Sequence, residues 1–172
     1  MTPGMNPPIN GLQTVARDQA AALFQFFQLY YYENSDWAAE DLGEDGLFDA
    51  CAASIADYIN APDKGAYWIR KDGALAGFVV TEPVTLPDGR VAQELADLFI
   101  LKRYRRQGLA MASVSALAEE FKGPWMVAVY RDDTRADAFW RQAFGRIGHA
   151  RVRQYEDPEL PQFRLYAINE LS

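Results

Sequence analysis

The segment from Val91 to Tyr130 constrains this chain most, because an apolar run, a basic glycine-containing loop, a helical run and a second apolar run follow one another without a break. Val91 to Leu101 reads VAQELADLFIL and is bounded upstream by the turn residues Pro87-Asp88-Gly89, which fits a mostly buried strand. After Gly108, the residues Leu109, Ala112, Ala116, Leu117 and Phe121 recur at helical spacing until Gly123-Pro124 stops the pattern, so a helix is expected from Gln107 to Phe121. Trp125 to Tyr130 is then a further strand. A strand, a crossover helix and a strand form a βαβ unit, and such a crossover sets its two strands parallel. Their carboxyl ends can splay to admit a ligand.

The loop inside this unit, Arg105-Arg106-Gln107-Gly108-Leu109-Ala110, is placed to hold an anion. The first turn of a helix has N–H groups without intrahelical partners, and the aligned peptide dipoles put about half a positive charge there. A diphosphate is stabilised by both. Gly108 permits close backbone approach, Ala110 is too small to obstruct the anion, and Arg105 and Arg106 can add charge-assisted hydrogen bonds.

In Arg105, Gly108 and Ala110 the chain resembles the GNAT superfamily of N-acetyltransferases, whose phosphate signature is Arg or Gln, two residues, Gly, one residue, then Gly or Ala. In many family members the last helix is introduced by Asn, two residues, Ala, two residues and an aromatic pair. Asp133, Ala136, Phe139 and Trp140 occupy that pattern, with Asp133 standing for the usual Asn and Trp140 for the usual Tyr. The resemblance covers roughly residues 66 to 155 by motif and the ends by element order, as in a divergent member. It implies an α+β fold of three-layer type, with a mixed central sheet of six to seven strands flanked by about four helices. It also implies acetyl-CoA as cosubstrate, with the diphosphate on residues Arg105 to Ala110, Gln107 and Leu109 included. Main-chain groups of Leu98, Phe99, Ile100 and Leu101 would pair with the pantetheine arm, and one N–H would polarise the thioester carbonyl.

The remaining elements agree with that order. Leu12 to Ala16 reads as a short strand, Arg17 to Tyr32 as a helix, and Leu47 to Asn60 as a second helix after an acidic, turn-rich stretch. Ala66 to Lys71 and Ala74 to Thr81 flank Asp72-Gly73, a strong hairpin signal, and Pro83 and Pro87 are expected to end that unit. Thr134 to Phe144 is a helix, and Ile147 to Tyr155 with Gln162 to Ile168 a terminal hairpin that could pair between subunits of a homodimer. A flexible lead of residues 1–10 and one domain over residues 11–172 complete the expectation.

Hydrophobic residues at 49% argue for a globular chain, while no apolar stretch approaches the about 20 residues of a membrane span. The start lacks the apolar core of a signal peptide, and a single cysteine rules out an intramolecular disulfide and argues against a thiolate metal site, so a metal-free cytoplasmic protein is expected. A net charge of −7 disfavours nonspecific nucleic-acid binding, yet Lys102, Arg103, Arg105 and Arg106 crowd one loop. An anionic cofactor with a cationic acceptor accommodates both signs.

Acetyl transfer to an amine requires removal of a proton from a group whose pKa is about 10.4. Glu94 and Asp97 are the candidates, since a charge inside an apolar run must find water, a partner or a function. Three residues apart, they face opposite sides of a regular strand. Counted back from the loop, Glu94 corresponds to the general-base glutamate of histone-type family members. The alternative is that Glu94 pairs with an arginine near the sheet edge and Asp97 satisfies N–H groups at a bulge.

In many relatives a tyrosine protonates the departing thiolate. Trp140 cannot, so Tyr130 is the substitute, the alternative being that its ring packs and solvent supplies the proton. His149 is read as exposed and structural, and Cys51 as a small buried helix residue. Three successive tyrosines, Tyr30 to Tyr32, cannot all face inward from a helix, so one or two meet solvent or a ligand. Asp36, Glu40, Asp41, Glu44 and Asp45 follow and could steer a polyamine, an aminoglycoside or a peptide amine.

The expected activity is thus acetyl transfer from acetyl-CoA to a primary amine of a small molecule or peptide, by direct attack in a ternary complex. A noncatalytic acyl-CoA-binding module or sensor is the alternative, favoured by Asp133 and Trp140.

Overall fold

A computed structural model describes residues 11–121, 123–147 and 151–169. The expected N-terminal lead and His149 lie outside the described residues.

Two apolar clusters, one on each face of a single sheet, organise the described chain. The sheet comprises β1 (Gln13–Thr14), β2 (Gly65–Lys71), β3 (Ala74–Thr85), β4 (Val91–Ile100), β5 (Trp125–Tyr130), β6 (Val152–Tyr155) and β7 (Phe163–Ile168), in the order β1-β2-β3-β4-β5-β7-β6. Helices α1 (Ala20–Asn34) and α2 (Ala52–Asn60) cover one face, where Leu23, Phe27, Ile55 and Ile59 bury against Trp68, Phe78, Val80 and Phe99. Helices α3 (Leu109–Glu120) and α4 (Thr134–Arg146) cover the other, through Val114, Leu117, Trp140 and Ala143. Each fully buried side chain of this size contributes about 1.5–3 kcal/mol, so both layers are firmly held. The result is the expected α+β architecture with a mixed sheet of seven strands and four α-helices among the described residues.

The βαβ reading holds, and its parallel pairing is short. β4 meets β5 only at Gln93 opposite Trp125 and Glu94 opposite Met126; every other neighbouring pair in the sheet is antiparallel. Past those two positions the strands part. On its other side β4 stays paired with β3 as far as Ile100 opposite Gly77, so the gap opens only toward β5.

Three local expectations are corrected. The second helix begins at Ala52, not Leu47, because the Gln28 side-chain amide grips both main-chain groups of Phe48, at 2.8 and 3.2 Å, and holds that stretch extended. Cys51 is therefore exposed at the helix N-cap instead of buried within the helix. β3 runs through Pro83 to Thr85, since β2 stops opposite Thr81. The register with Leu86 N–H bonded to Arg90 O turns the position of the missing Pro83 N–H toward the resulting free edge.

Candidate functional site

The gap between β4 and β5 continues as a cleft of about 610 Å³, lined by Leu98, Phe99 and Ile100 on one side and Val127 to Tyr130 on the other. The register decides which main-chain groups face it. Leu101 N–H donates to Ala76 O at 2.8 Å, so Leu101, Phe99 and Asp97 spend their groups on β3, while those of Leu98 and Ile100 turn toward the gap. Of the four residues expected to offer main-chain groups there, only Leu98 and Ile100 do so. The Ile100 carbonyl already accepts from Arg105 Nε at 2.9 Å, which leaves its N–H and both Leu98 groups toward the opening.

The loop from Arg105 to Ala110 enters α3 through two left-handed residues, Arg106 (φ 62°) and Gly108 (φ 78°). Gly108 is the N-cap and makes no side-chain cap, so among the described residues the amides of Leu109, Ala110 and Met111 have neither an intrahelical nor a side-chain partner. Ala110 and Arg106 line the cleft. Gln107 is exposed with its amide on Arg103 O, and Leu109 packs on the core, so these two offer backbone only.

Arg105 departs from expectation. Its guanidinium bonds Glu33 at 2.8 Å as well as the Ile100 carbonyl, and lies 5.8 Å from the centre of the Phe99 ring. Glu33, at the end of α1 and 13% exposed, also meets Lys102 at 3.4 Å and Arg135 at 3.3 Å. Burial alone would raise the Glu33 pKa, but the Arg105 hydrogen bond and the surrounding cations outweigh it and hold the carboxyl below its ordinary value. Arg105 is thus a strut between α1 and the loop, and Arg106 is the guanidinium that remains exposed beside the cleft.

Asp133 is the N-cap of α4, its Oδ1 accepting from Ala136 N–H at 2.9 Å. Trp140 is buried against Trp125, Phe139 and Phe144. Asp133, Ala136, Phe139 and Trp140 all line the cleft. The indole N–H of Trp37, another lining residue, is buried without a partner among the described residues.

A second cavity of about 640 Å³ adjoins the first, and Tyr30, Ala96, Ala128 and Tyr130 line both. It contains Glu94 and Asp97 together, which the alternation of a regular strand forbids. The reason is a β-bulge: Asp97 lies opposite Val80 and Leu95 opposite Thr81, so Ala96 is an inserted residue without a partner. The insertion turns Asp97 onto the face already taken by Glu94. The expectation that they point to opposite sides is corrected accordingly.

Among the described residues no arginine pairs with Glu94. Burial, then Glu82 opposite it on β3, then Asp97 push its pKa up to about 7. Asp97 is pushed up to about 6 by burial, against a hydrogen bond from Tyr30 that favours the charged form. The Tyr30 hydroxyl is raised well above its usual value by burial and by Asp97. Tyr130, packed against Trp37 at 4.5 Å and Phe163 at 4.1 Å, is raised by burial, then by Glu40 and Asp97. Of the three successive tyrosines, Tyr30 enters the shared wall, Tyr31 is half-buried and Tyr32 is 66% exposed.

Sequence reasoning missed Tyr58 and Glu82 as parts of this cavity, while Tyr30 is one of the three tyrosines expected to meet solvent or a ligand. Their only signal was position on elements flanking the long strand.

The chain matches the model of the acetyltransferase (GNAT) family over residues 21–145. No curated protein matches it in sequence. Among solved structures it is similar to an acetyltransferase from Thermus thermophilus, with a TM-score of 0.62 and 18% identity over 91% of this chain and 94% of that one. It is also similar to an aminoglycoside acetyltransferase from an uncultured soil metagenomic sample in complex with sisomicin (TM-score 0.55, 14% identity, 86% and 97% covered). A third is a ribosomal L7/L12 alpha-N-protein acetyltransferase in complex with coenzyme A (TM-score 0.55, 13% identity, 91% and 90% covered).

Proposed function

Because the chain belongs to the GNAT family of acetyltransferases, we propose that it transfers an acetyl group from acetyl-CoA to a primary amine by direct attack in a ternary complex. The observation that carries this reading is the shared wall: a cleft with free helix-terminal and strand amides meets, at Tyr30, Ala96, Ala128 and Tyr130, a cavity holding two carboxyl groups of raised pKa.

The residues present suit the cofactor. The unpartnered amides opening α3 and the exposed Arg106 offer a seat for a diphosphate. The free groups of Leu98 and Ile100 offer a half-strand partner to an amide-bearing arm. When bound, acetyl-CoA supplies the acyl group as a thioester.

Glu94 is the general base in this reading. A carboxylate with a pKa of about 7 is half deprotonated at neutral pH and can accept a proton from the incoming ammonium, a transfer uphill by about three pKa units that attack on the thioester would draw forward. Asp97, on the same face as Glu94, adds negative charge that holds the ammonium at the wall. Tyr130 stays protonated, because its pKa is raised, and would hydrogen-bond the leaving sulfur, while the second proton shed by the nitrogen as the amide forms would pass to the thiolate through Tyr130 or solvent. We place the reaction in the cytoplasm.

Asp133 and Trp140, which in sequence favoured a noncatalytic module, have structural reasons: one caps α4 and the other fills the core. Titration calorimetry with acetyl-CoA followed by thiol release against a panel of primary amines tests the proposal. Turnover is expected; cofactor binding with no turnover on any amine would leave only the module.

A further inference from the structure

We propose that the acceptor is a compact dication, whose second ammonium seats on Glu82 and the Tyr58 ring while its reacting nitrogen lies at Glu94. The inference rests on the transferase reading above and names its substrate class.

Among the described residues, the acceptor cavity is lined by five carboxylate residues, Glu82, Glu94, Asp97, Glu156 and Asp157, and by no lysine, arginine or histidine. Glu156 is balanced from outside by Arg131. Glu82 and Glu94 stand directly opposite each other on paired strands, an arrangement that repels like charges.

The chain itself displays the kind of cation that fits. Lys64 Nζ lies 3.0 Å from Glu82 Oε2 and 5.1 Å from the centre of the Tyr58 ring, whose hydroxyl donates to Glu82 Oε1 at 3.0 Å. A primary ammonium therefore already rests between a carboxylate and an aromatic face at the cavity's edge, as such a cation prefers. Opposed side chains on paired strands begin about 5 Å apart, so the two seats suit a chain of about four methylenes. A monoamine would leave the Glu82 seat to Lys64. A diamine can displace it and answer both carboxylates.

The test compares diaminobutane, butylamine and aminobutanol as acceptors for the full chain at saturating acetyl-CoA, reading thiol release. The expected kcat/KM for the diamine exceeds that of the other two by roughly tenfold or more, mainly through KM. Glu82→Gln collapses that ratio toward unity. Lys64→Met, which leaves Glu82 in place and serves should Glu82→Gln not fold, lowers KM for the diamine severalfold relative to aminobutanol. Equal kcat/KM for the three amines overturns the dication while leaving the transferase intact, as does a Lys64→Met chain with unchanged preference. No thiol release with any amine removes both readings together.

Discussion

The two cavities that meet at Tyr30 and Tyr130 are made of different material. The cleft between β4 and β5 is walled by main chain: two strand residues whose groups face outward, a helix start without a side-chain cap, and a loop bent through two positive φ angles. Its charged lining mixes signs: Arg105 and Arg135 are drawn onto Glu33, Asp133 caps α4, and Arg106 is exposed at the mouth. The neighbouring cavity is built from side chains of α1, α2, of β3 through β7 and of the stretch between β6 and β7, and its charged groups are carboxylates. A backbone site presents the same groups whatever acyl acceptor follows, whereas a side-chain site can be rewritten residue by residue. On the proposed reading, constancy falls to the cofactor side and selectivity to the acceptor side.

The sharpest way to break that division is to remove the base. Glu94→Gln should lower kcat by about 10²–10³, within the usual range for a positioned proton acceptor, with cofactor affinity by calorimetry changed little. Since a general base works deprotonated and the Glu94 pKa is about 7, the proposed role requires wild-type kcat/KM to rise with pH through about 7 and level above it. The variant should lose that rising limb. A variant that kept rate and pH profile would move the base elsewhere in the cavity.

The same group should leave a mark on stability. The folded pKa of Glu94 lies above its ordinary 4.5, so the folded chain binds the proton more tightly than the unfolded one. Its favourable contribution is whole below about pH 4.5 and is lost as pH rises to about 7. Above pH 7, Glu94→Gln should therefore be more stable than wild type, by up to about 3 kcal/mol, and the difference should vanish by pH 4. Urea unfolding at the two pH values measures it. Such a gain, paired with lost activity, marks a site held at the expense of stability.

On the cofactor side, Ala110→Glu should do the reverse. A carboxylate in the first turn of α3 favours the helix dipole, so thermal stability should hold or rise slightly. The same charge repels a diphosphate and fills its seat, and affinity for acetyl-CoA should fall by roughly tenfold to a hundredfold by calorimetry. Unchanged affinity would mean that the anion sits elsewhere.

How much of this was legible in sequence follows from the same contrast. The βαβ unit, the glycine-containing loop within it and the hairpin at Asp72-Gly73 are local: a few adjacent residues set the φ angles and the apolar periods, and these elements were read correctly as structure. The bulge was not legible. Nothing about Ala96 requires it, yet it decides that Glu94 and Asp97 share a face. The start of α2 escaped for a similar reason, since Gln28, twenty residues away, holds Phe48 extended. Arg105 is the instructive case. Its place in the motif was plain, but its engagement by Glu33 depends on where α1 ends in space.

The smallest effect separates scaffold from contact at the cleft mouth. Asp133→Ala should cost about 1 kcal/mol in urea unfolding, the ordinary worth of a lost N-cap, while Asp133→Asn should cost a few tenths at most. Both residues cap the helix equally well, but only the aspartate carries a charge into a cleft that is expected to take an anion. If capping is its whole role, Asp133→Asn should match wild type in stability and bind acetyl-CoA at least as tightly, because a negative charge has been removed from the cofactor's path. Weaker cofactor binding with stability intact would show the carboxylate itself making a contact, and would shift Asp133 from the scaffold to the binding surface.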